Sequence, residues 1–330
     1  MAPARSLQIV IPGGSGHLGT ILARHFHEQN HVVTTISRYP KPREWQTVHW
    51  EPNEMGPGGE YIWAECMQSA DVVINLAGRS VNCRYNTSHR REIRNSRIFA
   101  TELIGKAIAQ SSRPPRLWLN ASTATIYRQS EDRPMDESTG EIGGSEADLP
   151  SAWRFSVEVA TRWEQTFFSA DTPHTRKVAL RAAMVMSPEA GGAFDAFLRL
   201  VRYGMGGRAG SGRQFVSWIH EMDFIRSIEF LIAREDMAGP VNICSPHPVT
   251  NEEFMCNLRR AWCTSYIGIP SPRPLLEVGA FLLRSETELV LKSRRVVPGH
   301  LLKAGFEFHF PQWRGACRDL VERWRDLNAD

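Results

Sequence analysis

Short apolar runs rich in β-branched residues alternate with stretches of helical periodicity through the first half of the chain. The runs at 7–11, 32–36, 47–50, 71–76, 117–121 and 177–186 read as strands, the third weak and the fourth, D-V-V-I-N-L, strong. Between them, residues 20–29, 62–69, 88–110 and 153–169 read as helices, the last two long enough to flank a sheet. Strands and helices in this alternation predict an α/β fold, a doubly wound parallel sheet of the Rossmann type with crossover helices. Past Met186 the pattern changes to a glycine-rich loop at 203–212 and pieces punctuated by Pro240, Pro246, Pro248, Pro270, Pro272 and Pro274. Short helices at 251–262 and 313–327 sit between these breaks. The boundary is therefore expected near residue 187, with a dinucleotide-binding domain at 1–186 and a smaller α+β substrate-side domain at 187–330. Strands of the second part are free to return to the main sheet.

Composition narrows the class. With 330 residues, 42% hydrophobic and 23% charged, the chain has material for a sizeable core and too little charge for intrinsic disorder. Basic and acidic residues number 39 and 36, and no basic block tracks a phosphate backbone, so nucleic acid is not expected as a partner. A net charge of +3 suits a small anionic ligand. The six cysteines, Cys66, Cys83, Cys244, Cys256, Cys263 and Cys317, form no C-x-x-C pair, which argues for reduced thiols and against a metal site. The longest uncharged run, 6–23, contains Pro12 and four glycines and cannot span a membrane. With no signal-peptide pattern either, a cytoplasmic location is expected.

The strongest chemical signal is P-G-G-S-G-H-L-G at 12–19, directly after a strand and before a helix. A dinucleotide pyrophosphate needs backbone N–H groups and a helix N-terminus aimed at it, and residues without a β-carbon let the chain turn and approach that closely. Gly13, Gly16 and Gly19 carry the spacing, and Ser15, His17 and Leu18 complete the turn. Nineteen residues past Gly19, where an acid would hold the ribose 2′-hydroxyl of NAD, stands Arg38 beside Ser37. A guanidinium fork and a hydroxyl suit a 2′-phosphate, so NADP(H) is favoured over NAD(H). Asn75, Leu76, Ala77 and Gly78 close the fourth strand with small residues, as a sheet edge passing beside an adenosine ribose requires.

At this point the chain resembles the extended short-chain dehydrogenase/reductases, and within them the atypical branch of epimerase-family, sugar-nucleotide-epimerase-like proteins. The resemblance rests on the glycine turn, N-L-A-G at 75–78, E-I-R-N-S-R-I at 92–98, W-E at 163–164 and L-R at 180–181. It continues through G-S-G-R-Q-F-V-S-W-I-H at 210–220, G-P-V-N at 239–242 and R-V-V-P-G-H-L-L-K-A-G-F-E-F at 295–308. That last stretch resembles the branch's small C-terminal domain of unknown function, about 268–327 here. The resemblance implies NADP(H) bound to the first domain, with Ala121 and Arg97 beside it, and a small-molecule substrate between the domains. It also implies a homodimer paired through the helices at 88–110 and 153–169.

Most of the superfamily carries a catalytic Ser or Thr after the fifth strand and a Tyr-x-x-x-Lys pair on the next helix. Thr123, four residues before Tyr127, fits the first, with Ser122 beside it. The second is missing: Ser156 and Ala160 hold its positions, and none of the six tyrosines has a lysine four residues later. Lysine lowers the tyrosine pKa so that a phenolate can exchange a proton as hydride moves, and an unassisted serine is too weak an acid or base for this. Tyr127 is the nearest phenol, a proton donor or else a loop-packing side chain. His220 could titrate near neutrality but reads better as structural, with Asp223 capping the next helix. Arg97 and Arg181 can hold an anion without donating a proton. The loop at 204–212, with Arg208 and Arg213, either wraps a diphosphate or acts as a lid.

Two readings of function follow. The first is an NADP(H)-dependent oxidoreductase or epimerase on a small carbonyl or sugar-like substrate, with proton transfer by Tyr127 or water, assisted by Thr123. The second is an NADP(H)-binding sensor or scaffold from which turnover was lost together with the dyad. A lyase or isomerase using the pocket without net redox is a third, weaker alternative.

Overall fold

The computed structural model describes residues 6–53, 55, 61–262, 268–270 and 288–329; Cys263, Pro272, Pro274 and most of the start of the family's C-terminal segment lie outside them. The strands are β1 (Gln8–Pro12), β2 (Val32–Ser37), β3 (Gln46–His49), β4 (Val72–Asn75), β5 (Leu117–Thr123), β6 (Arg176–Ala182), β7 (Met184–Met186), β8 (Phe215–Val216), β9 (Trp218–His220), β10 (Gly239–Ile243) and β11 (Val249–Thr250). Seven of them form one sheet in the order β10-β6-β5-β4-β1-β2-β3, every pair parallel. The order reverses at β1, which lies between β2 and β4. Such a reversal opens a crevice at the carboxyl ends of the strands, where ligands of doubly wound sheets bind.

The described helices are α1 (His17–Glu28), α2 (Thr87–Gln110), α3 (Ser151–Ser169), α4 (Ala193–Arg202), α5 (Glu221–Ala233), α6 (Asn251–Trp262), α7 (Glu288–Leu291), α8 (Gly299–Lys303) and α9 (Trp313–Leu327). Alternation along β1 divides them between two faces, because successive side chains of a strand point to opposite sides. Ile9 and Ile11 pack with Leu22 and Phe26 of α1 and Phe224 and Ile228 of α5. Val10 packs on the other side with Leu103 and Ile104 of α2 and Phe167 of α3. A third cluster joins α4, α6 and α9, with the rings of Phe254 and Trp313 stacked at 4.1 Å. Burying a side chain of this size stabilises the fold by about 1.5–3 kcal/mol.

Three local features depart from the sequence reading. The stretch at 62–69 forms a 3-10 turn, Ile62–Met67, in place of an α-helix. The run at 177–186 is two strands: Ala183 N–H still donates to Ile243 O, but Met184 N–H donates to Ser217 O, so the chain leaves β10 for β9. The helix at Glu221 is capped by His220, whose Nδ1 accepts from Met222 N–H at 3.1 Å, and not by Asp223. Asp223 instead receives the His309 and Phe310 amides, both at 2.8 Å. Strand β10, beyond residue 187 in sequence, completes the edge of the main sheet beside β6. Among the described residues no helix is long and apolar enough to cross a membrane.

Candidate active site

Two adjoining cavities, of about 950 and 530 Å³, lie along the carboxyl ends of the strands and share Gly13, Gly16, Leu76 and Gly78. The outer, larger one reaches Ser37, Arg38 and Trp50; the inner one reaches Ala121, Thr123, Ser156 and Arg97. Every residue expected to touch the coenzyme lines one or both.

The glycine turn is shaped by contacts that exclude a side chain. Gly13 has a φ of 81°, and a methyl group there would meet the Leu76 carbonyl carbon at 2.6 Å. At Gly19 a methyl would sit 2.6 Å from Gly14 Cα, so close packing of α1 onto the turn requires glycine. No side chain caps α1 at Gly16, and no acid occupies its first turn, which leaves its leading N–H groups turned to the cavity. His17 Nε2 is buried without a hydrogen-bond partner. A cradle that a Cβ would fill and an open helix N-terminus together fit a pyrophosphate.

At the end of β2, Ser37 Oγ donates to Ser15 Oγ at 2.7 Å and accepts from Tyr39 N–H at 3.2 Å. This ties the strand end to the glycine turn. Arg38 is exposed on the rim, its guanidinium 5.9 Å from the Tyr39 ring centre. The acids lining the outer cavity, Glu92 and Glu102, both lie on α2, and Glu92 pairs with Arg79. Among the described residues that line this cavity, no carboxylate stands at the end of β2 to repel a phosphate.

The inner cavity is walled by α2 and α3. Arg97 Nη1 donates to the carbonyls of Arg79 and Ile93, at 3.0 and 3.1 Å, and the guanidinium lies 5.2 Å from the Trp163 ring centre. Burial pulls its pKa down to about 10, which leaves it cationic at neutral pH. Thr123 Oγ1 accepts from Thr125 N–H at 3.1 Å and keeps its own proton for a second partner. Ser122 is committed elsewhere: its hydroxyl donates to Glu164 at 2.5 Å, and Glu164 is held by Arg181.

Tyr127 does not reach the cleft. Its side chain is 1% exposed and lines neither cavity. The hydroxyl donates to Asn242 Oδ1 at 3.0 Å and accepts from Arg181 Nη1 at 2.8 Å. Burial pushes the phenol up to about 12 although Arg181 favours its anion. It is a link between β5, β6 and β10, not a group positioned to give a ligand its proton. His220 is likewise remote, fully buried between Asp319 and the ring of Phe310. Arg208 and Arg213 line neither cavity, and their loop is fastened by Ala209 N–H to Asn251 Oδ1 at 2.7 Å.

The inner-wall residues that escaped the sequence reading as site residues include Tyr85, Ser156, Glu288 and Arg294. Ser156 was marked only by the absence of a tyrosine. Glu288 meets it from 132 residues away, at 2.5 Å between Oγ and Oε2.

Residues 9–244 match the NAD dependent epimerase/dehydratase family, and 271–320 match a domain of unknown function, DUF1731. The chain belongs to the NAD-dependent epimerase/dehydratase family. Within this family it sits in the branch that adds the small C-terminal domain. Epimerase family protein ML0860 of Mycobacterium leprae is 31% identical over 309 residues, 93% of each chain. Human epimerase family protein SDR39U1 is 29% identical over 96% of this chain and 100% of its own. A crystal structure of that human protein, isoform 2 with NADPH, superposes with a TM-score of 0.80 at 28% identity over 95% of this chain and 99% of the other. A nucleoside-diphosphate sugar epimerase of Corynebacterium glutamicum superposes with a TM-score of 0.73 at 22% identity and shares the fold.

Proposed function

We propose that this epimerase-family chain is an NADP(H)-dependent oxidoreductase or epimerase acting on a small carbonyl or sugar-like substrate. In this reading residues 1–186 hold the coenzyme and 187–330 shape the substrate side. The observation that carries it is the junction of Ser37 and Ser15. Next to it Arg38, with no acid of the described cavity lining on the same strand end, lies on the wall of the cavity that the glycine turn lines. The human relative crystallised with NADPH supports the same choice.

When bound, the nicotinamide supplies or takes a hydride. The residues of the chain bind, orient and exclude water around it. Gly13 to Gly19 and the N-terminus of α1 take the pyrophosphate, Arg38 takes the 2′-phosphate while Ser37, bonded to Ser15, fixes the strand end beside it, and Leu76 to Gly78 take the adenosine ribose. Arg97 and Ala121 border the inner end, and Thr123 has a proton to donate to a substrate oxygen. Val81, Ile93, Phe155 and Val159 keep that end apolar and restrict it to a small substrate. A cytosolic location agrees with the five described cysteines, all free thiols. A homodimer would pair through α2 and α3, which expose Phe99 and Phe168.

Stopped-flow mixing of the protein and NADPH with a panel of small carbonyl compounds tests the proposal, which expects substrate-dependent loss of NADPH absorbance. The sensor reading draws on Ser156 and Ala160 in place of the dyad. Tight NADPH binding with no oxidation across the panel, and a change in affinity for another protein, would favour it.

A further inference from the structure

The inner cavity contains a polar pair that the reading above does not use. Ser156, on α3, donates its hydroxyl proton to Glu288 Oε2 at 2.5 Å, the length of a bond to an ionised acceptor. Glu288 is 2% exposed, and its second oxygen, Oε1, accepts no hydrogen bond among the described residues. Arg294 Nη2 and Lys292 Nζ stand 3.6 and 3.9 Å from that oxygen, close enough to favour its charge and too far to satisfy it. Lys292 is itself anchored on Thr125 O at 2.9 Å. A buried carboxylate with an unused acceptor works against stability, and groups of this kind concentrate where chemistry is done. Both Ser156 and Glu288 line the cavity, within the same wall as Tyr85 and Arg294.

We infer that Ser156 and Glu288 form the proton path of this site, Ser156 touching the substrate oxygen and Glu288 exchanging protons with Ser156. The inference rests on the oxidoreductase reading and completes it. A lone serine is too weak an acid or base, but a carboxylate at 2.5 Å lets Oγ give up one proton while it receives another, so no free alkoxide is needed. In the oxidising direction the O–H and C–H bonds of a small secondary alcohol break and its C=O forms. The hydroxyl proton goes to Ser156 Oγ, the Oγ proton goes to Glu288 Oε2, and the hydride is taken up by oxidised nicotinamide coenzyme. In the reducing direction each transfer reverses, and Glu288 starts protonated. The charged and titratable groups facing this pair are Tyr85, Arg97, Lys292 and Arg294, with Glu146 acting on Lys292. Burial draws Lys292 down to about 8.

The test combines turnover with a measurement that needs no coenzyme. The intact chain is assayed with NADPH and two activated carbonyl probes, 9,10-phenanthrenequinone and 4-nitrobenzaldehyde. Ser156→Ala and Glu288→Gln should each lower kcat at least about 100-fold, as loss of general acid–base help does, while the NADPH Kd stays within about twofold. Ser156→Thr, which keeps the hydroxyl, should restore most of the rate. Infrared spectra of the coenzyme-free protein should show a carboxylate band that is missing in Glu288→Gln and shifted in Ser156→Ala, which leaves every charge in place. Wild-type turnover that survives both substitutions, or a Glu288 band indifferent to Ser156, overturns the inference and leaves the oxidoreductase reading standing. NADPH that binds and is oxidised by neither probe takes down that reading together with the inference.

Discussion

Arg181 holds Glu164 through two guanidinium N–H groups, Nε at 2.8 Å and Nη2 at 2.7 Å, one hydrogen bond behind the cavity wall at Ser122. Each side chain is 9% exposed. Because the pair also fixes Ser122 and Tyr127, it joins α3 to strands β5 and β6 at the point where the inner cavity begins. Removing one partner of a buried pair leaves the other charge uncompensated, at a cost of about 3–5 kcal/mol. Glu164→Gln should therefore lose stability on that scale in urea unfolding. The double change Glu164→Leu with Arg181→Met should lose less than the sum of the two single changes.

Tyr127 gives a prediction of the opposite kind. Its hydroxyl is spent on Asn242 and Arg181 and lies outside both cavities. Tyr127→Phe should leave carbonyl turnover within about twofold and lower stability by about 1–3 kcal/mol, because two buried groups lose a partner. A loss of kcat comparable to that expected for Ser156→Ala would return Tyr127 to the chemistry.

Coenzyme preference should follow Arg38. A hydrogen bond to a charged group contributes about 1.5–3 kcal/mol, and about 1.4 kcal/mol is a factor of ten. Arg38→Asp should thus weaken NADPH by about 10–100-fold in a fluorescence titration and change NADH affinity far less. Equal weakening of both would show that Arg38 acts on something other than the 2′-phosphate.

Acid stability should carry the mark of His220. Burial lowers its pKa below the ordinary 6.5, against the attraction of Asp319 and Glu221 and with help from Arg323. The folded protein then binds fewer protons at this site than the unfolded chain does. Its contribution is complete above about pH 6.5 and is lost as pH falls through the folded pKa. Urea midpoints measured from pH 7 down to pH 5 should fall more steeply for the wild type than for His220→Gln. Parallel slopes would contradict this.

Much of the fold was legible because it is local. The strands at β1, β2, β4 and β5 announce themselves as β-branched runs, and the glycine turn is a spacing rule with a steric cause at Gly13. What was not legible depends on partners distant in sequence. Ala183 ends a strand only because Met184 changes partner to Ser217, and nothing in the run 177–186 records that. His220 displaces Asp223 as the helix cap because two amides near Phe310 claim the Asp223 carboxylate. Tyr127 has the sequence position of a site phenol, yet Asn242, 115 residues on, draws its hydroxyl into the interior. Ser156 reads as a loss until Glu288 is found against it.

The account stands or falls on the coenzyme. Calorimetric titration of ligand-stripped protein with NADPH and with NADH, in parallel, should give one NADPH per chain, bound at least about tenfold tighter than NADH, as a single charged contact implies. Absence of heat with both coenzymes would contradict it at the root, and equal affinity for the two would remove the role assigned to Ser37 and Arg38.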